Sequence, residues 1–168
     1  LVSGPGNDSL TAGVGNDVLF GGDGTDTLTA GAGNDQLDGQ AGDDILRGGN
    51  GDDTVIGGLG ADQLTGGPNA DRFVLKDAAE STVALRDLIT DFDRVVGDRI
   101  DLSAIDAIAG GGDDPFTFLA GGAFNSTPGR LIVVAHAAGQ YRAEGDIDGN
   151  NIADFSINTV TLFGMVLA

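Results

Sequence analysis

The chain has 168 residues, with 26 Asp and Glu against 8 Lys and Arg, 30 Gly, 4 Pro, one His and neither Cys nor Trp. A net charge of −18 repels a phosphate backbone and an anionic membrane surface, which argues against nucleic-acid binding and membrane docking, and the lack of Cys excludes disulfide staples and thiolate metal sites. Gly in a fixed short period with so little Pro fits neither collagen nor a disordered linker; the length suits one domain or two small ones, and the longest apolar run, Leu131 to Ala138, is far too short to cross a bilayer.

From Gly4 the chain falls into rows of nine, GPGNDSLTA, GVGNDVLFG, GDGTDTLTA, GAGNDQLDG, QAGDDILRG, GNGDDTVIG, GLGADQLTG and GPNADRFVL, without a gap to Leu75. So regular a repeat is the signature of a stacked architecture. The fifth column is always Asp: Asp8, Asp17, Asp26, Asp35, Asp44, Asp53, Asp62 and Asp71. The seventh is always apolar: Leu10, Leu19, Leu28, Leu37, Leu46, Val55, Leu64 and Phe73. Columns one to five carry turn chemistry, Gly with Asn or Asp, and columns six to eight a short β-compatible stretch centred on the apolar residue. Gln40 interrupts the first column. Asn69 replaces Gly in the third, and Asn is the non-Gly residue that best tolerates positive φ. Leu1 stands where the seventh column of an earlier row would fall, so a longer protein is expected.

A three-residue strand can aim one side chain inward. Turn, strand, turn and strand make one flat coil of two rows, and stacked coils form two parallel sheets with column seven packed between them, as in a β-helix or β-roll. Asp residues two rows apart then stand above one another at about 4.8 Å. Carboxylates so stacked repel, and a Ca²⁺ ion, with oxygen ligands at about 2.3–2.6 Å, reaches both. The pairs are Asp8 with Asp26, Asp26 with Asp44 and Asp44 with Asp62 on one edge, and Asp17 with Asp35, Asp35 with Asp53 and Asp53 with Asp71 on the other. These are about six shared Ca²⁺ sites, bringing in about twelve positive charges. Folding is expected to depend on them, because the thin column-seven core is too small to offset the ordering of the rows.

The rows resemble the GGxGxDxUx nonapeptide of the RTX (repeats-in-toxin) secreted proteins. DLITDF from Asp87 to Phe92, DRIDLSAID from Asp98 to Asp106 and GDIDGNNIADF from Gly145 to Phe155 resemble the C-terminal domain that follows such repeats in serralysin-type metalloproteases, a tail shared with other exported enzymes and with alginate epimerase modules. The resemblance implies an all-β fold, with a right-handed parallel β-roll over residues 1–75 and a capping, β-rich C-terminal domain over 76–168.

It also implies main-chain ligands. For the ion between Asp8 and Asp26 these are the carbonyls of Gly4 and Gly6 from the lower turn with Gly21 and Asp23 from the upper. The pattern advances by one row at a time: Gly13, Gly15, Ala30 and Ala32; Gly22, Gly24, Gly39 and Ala41; Gly31, Gly33, Gly48 and Asn50; Gln40, Gly42, Gly57 and Leu59; Gly49, Gly51, Gly66 and Pro68. Functionally, the resemblance implies a calcium-binding module of a secreted, extracellular bacterial protein. Such a module stays unfolded for export by type I secretion machinery, folds in external calcium and stabilises an upstream domain of the same polypeptide.

Beyond Leu75 the period is lost. Phe116–Leu119, Leu131–Val134, Gln140–Ala143, Asp154–Asn158 and Val160–Phe163 read as strands, and Ser103 ahead of AIDAIA reads as the cap of a short helix. These segments are expected to cover the open end of the roll. Asp146, Asp148, Asn150 and Asp154 form a DxDxN cluster resembling an EF-hand loop, but with Gly at the fourth place rather than the sixth. It is a candidate for extra calcium, against a solvated turn. The acids Asp87, Asp91, Asp93, Asp98 and Asp101 raise the same two readings, and His136, inside an apolar run, reads as structural.

Catalysis by this chain is not expected: one His and no Cys cannot supply HExxH-type zinc ligation, and no GxSxG elbow occurs. The alternative function is polysaccharide binding, as in the R-module of an alginate epimerase or an adhesin. For that, Arg86, Arg94, Arg99, Arg130 and Arg142 are too scattered in sequence to establish a basic patch.

Overall fold

The structure is a computed structural model that describes residues 1–105, 117–119, 130–137, 140–148 and 152–160. Each row contributes one strand: β1 (Ser9–Thr11), β2 (Val18–Asp23), β3 (Thr27–Ala32), β4 (Gln36–Ala41), β5 (Ile45–Asn50), β6 (Thr54–Leu59), β7 (Gln63–Thr65) and β8 (Arg72–Val74). Alternate rows go to opposite sheets, β1-β3-β5-β7 in one and β2-β4-β6-β8 in the other, with every pairing parallel. The chain is a parallel β-roll, as its period requires.

The register stacks column seven on itself. Leu10 sits on Leu28, Leu28 on Leu46 and Leu46 on Leu64; in the facing sheet Leu19 sits on Leu37, Leu37 on Val55 and Val55 on Phe73. Leu19, Leu28, Leu37, Leu46 and Val55 are fully buried, each contributing about 2 kcal/mol of transfer free energy.

Strands β2 to β6 have six residues, where the sequence pattern suggests three. In the ladder from β2 to β4, Phe20 pairs with Asp38, column nine is skipped, and pairing resumes with Gly22 on Gln40 and Asp23 on Ala41. Identical coils in register bring every extended stretch against its own copy, so the first two columns of each turn join the sheet.

Parallel pairing continues past residue 75. β9 (Leu88–Ile89) lies against β7 and β10 (Arg99–Asp101) against β8, placing Ile89 on Leu64 and Ile100 on Phe73. Residues 76–105 thus wind one more, longer coil. Phe92 tilts against Phe73 with ring centroids 6.3 Å apart, and Leu75, Ile105 and Ile157 extend the same core. β14 (Phe155–Val160) joins β9 in parallel; antiparallel β13 (Gln140–Asp146) and β12 (Arg130–Ala137), then β11 (Thr117–Leu119), carry that sheet to nine strands among the described residues, where the facing sheet has five, β10 at its edge.

The later strands differ from expectation mainly in their ends. β12 and β13 run longer than Leu131–Val134 and Gln140–Ala143 because they pair along their whole length, with a bulge between Ala135 and Ala137. Val160 belongs to β14. Phe116, residues 161–163 and the His136 side chain lie outside the described residues. Ser103 and Ala104 form a turn, and no helix occurs among the described residues; residues 106–109 of the expected helix lie outside them.

Candidate metal centre

Each turn is closed by its fifth-column Asp. The main-chain N–H of that residue donates to Oδ1 of the Asp one coil further on: Asp8 to Asp26 at 2.7 Å, Asp26 to Asp44 at 2.7 Å and Asp44 to Asp62 at 2.8 Å. On the opposite edge Asp17 donates to Asp35 at 2.8 Å, Asp35 to Asp53 at 2.8 Å and Asp53 to Asp71 at 2.9 Å. The fold therefore brings together, as neighbours on successive coils, all six Asp pairs read from the sequence.

Only one carboxylate oxygen is used in this way. Oδ2 of Asp26, Asp35, Asp44, Asp53, Asp62 and Asp71 is buried with no hydrogen-bond partner. A buried ionised oxygen without a donor is costly, and its remedies are a proton or a cation. Burial above all, with added repulsion from neighbouring carboxylates, outweighs the pull of the single N–H donor; it pushes Asp44 and Asp53 up to about 6 and Asp71 up to about 7. Asp62 is raised for the same reason.

The donor set fits calcium. It consists of hard oxygens, two carboxylates per step and the carbonyls of Gly-rich turns, with no sulfur or nitrogen ligand. Column nine keeps room beside each free oxygen: a Cβ on Gly21 would lie 2.6 Å from both Asp26 Oδ2 and Gly39 O. One on Gly39, Gly48, Gly57 or Gly66 would collide with Oδ2 of Asp44, Asp53, Asp62 or Asp71. Ala30 is the buried exception.

The main-chain oxygens named from the resemblance fall in three groups: columns one and three, column two, and column nine. Those of columns one and three, such as Gly4 and Gly6, lie directly beneath the same columns of the next coil, where a Cβ on Gly22 would be 2.5 Å from Gly4 O. Those of column two already accept a hydrogen bond: Asp23, Ala32, Ala41, Asn50 and Leu59 from the N–H of Gly6, Gly15, Gly24, Gly33 and Gly42, at 2.7–2.8 Å. Gly21 O accepts from Ser3 Oγ, and Gly66 O from Gly49 N at 2.9 Å. A carbonyl so engaged retains a second lone pair.

A second ladder runs outside the first and is missed by the column-five reading. Asn7 Oδ1 accepts the N–H of Thr25, Asn16 that of Asn34, Asn34 that of Asp52, Asp43 that of Ala61 and Asp52 that of Ala70, at 2.9–3.1 Å. Its signal is the Asn or Asp in column four of five rows.

In the C-terminal part the carboxylate oxygens of Asp146, Asp148 and Asp154 lie within 4.8 Å of one another. Asp154 Oδ2 accepts the Ile147 N–H at 2.6 Å, and Asn150 lies outside the described residues. Asp93 and Asp101 serve as turn residues, accepting the N–H of Val95 and Ser103 at 2.8 and 3.0 Å.

The raised carboxylates fix the sign of a pH effect. Their folded pKa exceeds the unfolded one, so the folded state holds more protons between about pH 4 and 7; the penalty it carries above pH 7 is relieved as pH falls. The relief is on the order of 3 kcal/mol per group. Held in chelator, the chain is expected to show more sheet at pH 5 than at pH 8 by circular dichroism. With calcium present the order should invert, because protons compete for the ligands. Identical apo spectra at the two pH values would count against donorless burial of the ladder.

Residues 2–37 and 38–73 each match the family described as RTX calcium-binding nonapeptide repeat (four copies). No curated protein matches the chain. Among solved structures, the chain is similar to the AlgE6R2 subunit from the Azotobacter vinelandii mannuronan C5-epimerase, with 22% identity, 98% of this chain and 95% of that one covered and a TM-score of 0.46. It is also similar to the AlgE6R3 subunit of that enzyme, with 25% identity, 93% and 71% covered and a TM-score of 0.30. Residues 2–73, the stretch that matches the RTX calcium-binding nonapeptide repeat, are wound as a parallel β-roll.

Proposed function

We propose that this chain is a calcium-switched folding module of a secreted bacterial protein, passing through a type I exporter and stabilising an upstream catalytic domain of the serralysin-type metalloprotease class. Calcium outside the cell supplies the counter-charge that the ladder lacks. The observation that carries the reading is the row of buried carboxylate oxygens without donors. The upstream partner is inferred from the DLITDF, DRIDLSAID and GDIDGNNIADF resemblance.

Asp44→Asn tests it. The amide keeps an acceptor for the Asp26 N–H but removes a charge that two steps share. Calorimetric titration is expected to show several ions bound by the parent, fewer by the variant, and a calcium requirement for folding at least tenfold higher; in chelator the variant should be the more stable of the two. Unchanged calcium binding would end this reading.

One observation favours the polysaccharide alternative. Arg72 and Arg99, far apart in sequence, are direct partners on β8 and β10. Arg99 is exposed, while Arg72 reaches Asp101 and Thr54 at 3.5 Å. Calorimetry with alginate oligomers in calcium separates the readings: heat that disappears in Arg99→Ala favours polysaccharide binding, and no heat removes it.

A further inference from the structure

The geometry points to one calcium seat outside the nonapeptide rows, at the step between Asp62 and Asp87, which makes the ladder one ion longer on that edge than on the other. This inference rests on the calcium reading above. In the coil wound by residues 76–105, Asp87-Leu88-Ile89 and Asp98-Arg99-Ile100 take the places of columns five to seven. Asp87 Oδ1 accepts the Asp62 N–H at 3.1 Å, and Asp98 Oδ1 accepts the Asp71 N–H at 2.9 Å, so both edges gain a rung.

The two rungs then diverge. The second oxygen of Asp98 accepts the Asp93 N–H at 2.8 Å, so its carboxylate is satisfied by the protein. Asp87 is wholly buried, and its Oδ2 has no hydrogen-bond partner. Because its Oδ1 takes the Asp62 N–H, its carboxylate stands one coil beyond that of Asp62, whose Oδ2 is also unpartnered. Ser81 holds the rung in place: its Oγ accepts the Asp87 N–H at 2.9 Å and donates to Ser156 O at 2.7 Å. Asp91 is committed elsewhere, its two oxygens taking the N–H groups of Gly66 and Gly67 at 3.1 and 2.8 Å. Asp62 and Asp87 thus reproduce the donorless carboxylate pair of Asp44 and Asp62, without a GGxGxD turn to announce it.

Anomalous diffraction from crystals of the full chain grown in calcium and exchanged with terbium reads the seats directly. A peak beside the Asp62 and Asp87 carboxylates and none at Asp98 is the expected result. Peaks in the nonapeptide turns with none beside Asp87, or with one at Asp98 too, overturn the inference and leave the calcium reading standing; no peak in any turn overturns both. In solution, equilibrium dialysis should find one calcium fewer on Asp87→Asn than on the parent and the same number on Asp98→Asn. Equal stoichiometry for Asp87→Asn and the parent overturns the inference.

Discussion

In excess chelator at neutral pH, residues 4–75 are expected to lose their sheet signal in far-ultraviolet circular dichroism, and millimolar calcium is expected to restore it cooperatively. The core between the two sheets is thin: most rows supply one buried apolar side chain, and only Ala30 and Leu75 add a second. That area cannot offset the conformational entropy of so many Gly-rich turns. The fold also buries six carboxylate oxygens in the rows without donors, so the metal-free state carries a penalty that an ordinary β protein lacks. A ligand confined to the folded state at a hundredfold excess over its dissociation constant adds about 2.7 kcal/mol, and several such ions change the sign of the balance. Full sheet content in chelator, unmoved by calcium, would sink this expectation.

The second large effect is expected from Gly42→Ala. Gly42 has φ +129°, and a Cβ there would collide with the main-chain oxygen and carbon of Gly24 in the coil below. Neither partner is a side-chain tip that can swing aside. An Ala would face both an unfavourable backbone conformation, about 1–3 kcal/mol, and a wedge between coils whose spacing is set by the sheets. The combined cost is expected to exceed about 3 kcal/mol, above the usual range for a single substitution. The calcium midpoint for folding should rise more than tenfold. Gly4→Ala is the matched control, since nothing lies within 4 Å of the added atom and the midpoint should stay put. Similar midpoints for the two variants would show that close stacking of the turns does not govern stability.

What could be read from the residues was whatever recurs at a fixed period. Column five and column seven each keep one chemistry through all rows, so the inward Leu, Val and Phe side chains and the Asp pairs follow from counting. Column four was harder to see because Asn, Asp, Thr and Ala share it: only the acceptor half of each pair must carry a side-chain oxygen, so the side chain is free to change where a residue merely donates its main-chain N–H. Asp87 and Asp98 were visible as acids but not as rungs. Loops of unequal length move the stacking offset from 18 residues to 25 and 27, and a reading in rows of nine loses phase there. The pairing of Arg72 with Arg99 was hidden for the same reason. Strand length was underestimated because a turn copied in register can pair with its own copy, a property of the stack rather than of any row.

A ladder whose rungs are copies of one another has no internal mark to say which rung belongs where; sliding by a whole coil would set like upon like. The coil at 76–105 acts as an end stop, since the Asp91 carboxylate on Gly66 and Gly67 and the Ile89 and Ile100 contacts are made once and only in one alignment. Adding or deleting 18 residues leaves every joint matched, nine would exchange the contents of the two faces, and one would turn the greasy side outward. Arrays of this kind are therefore free to grow or shrink by whole coils while their terminal fitting stays the same.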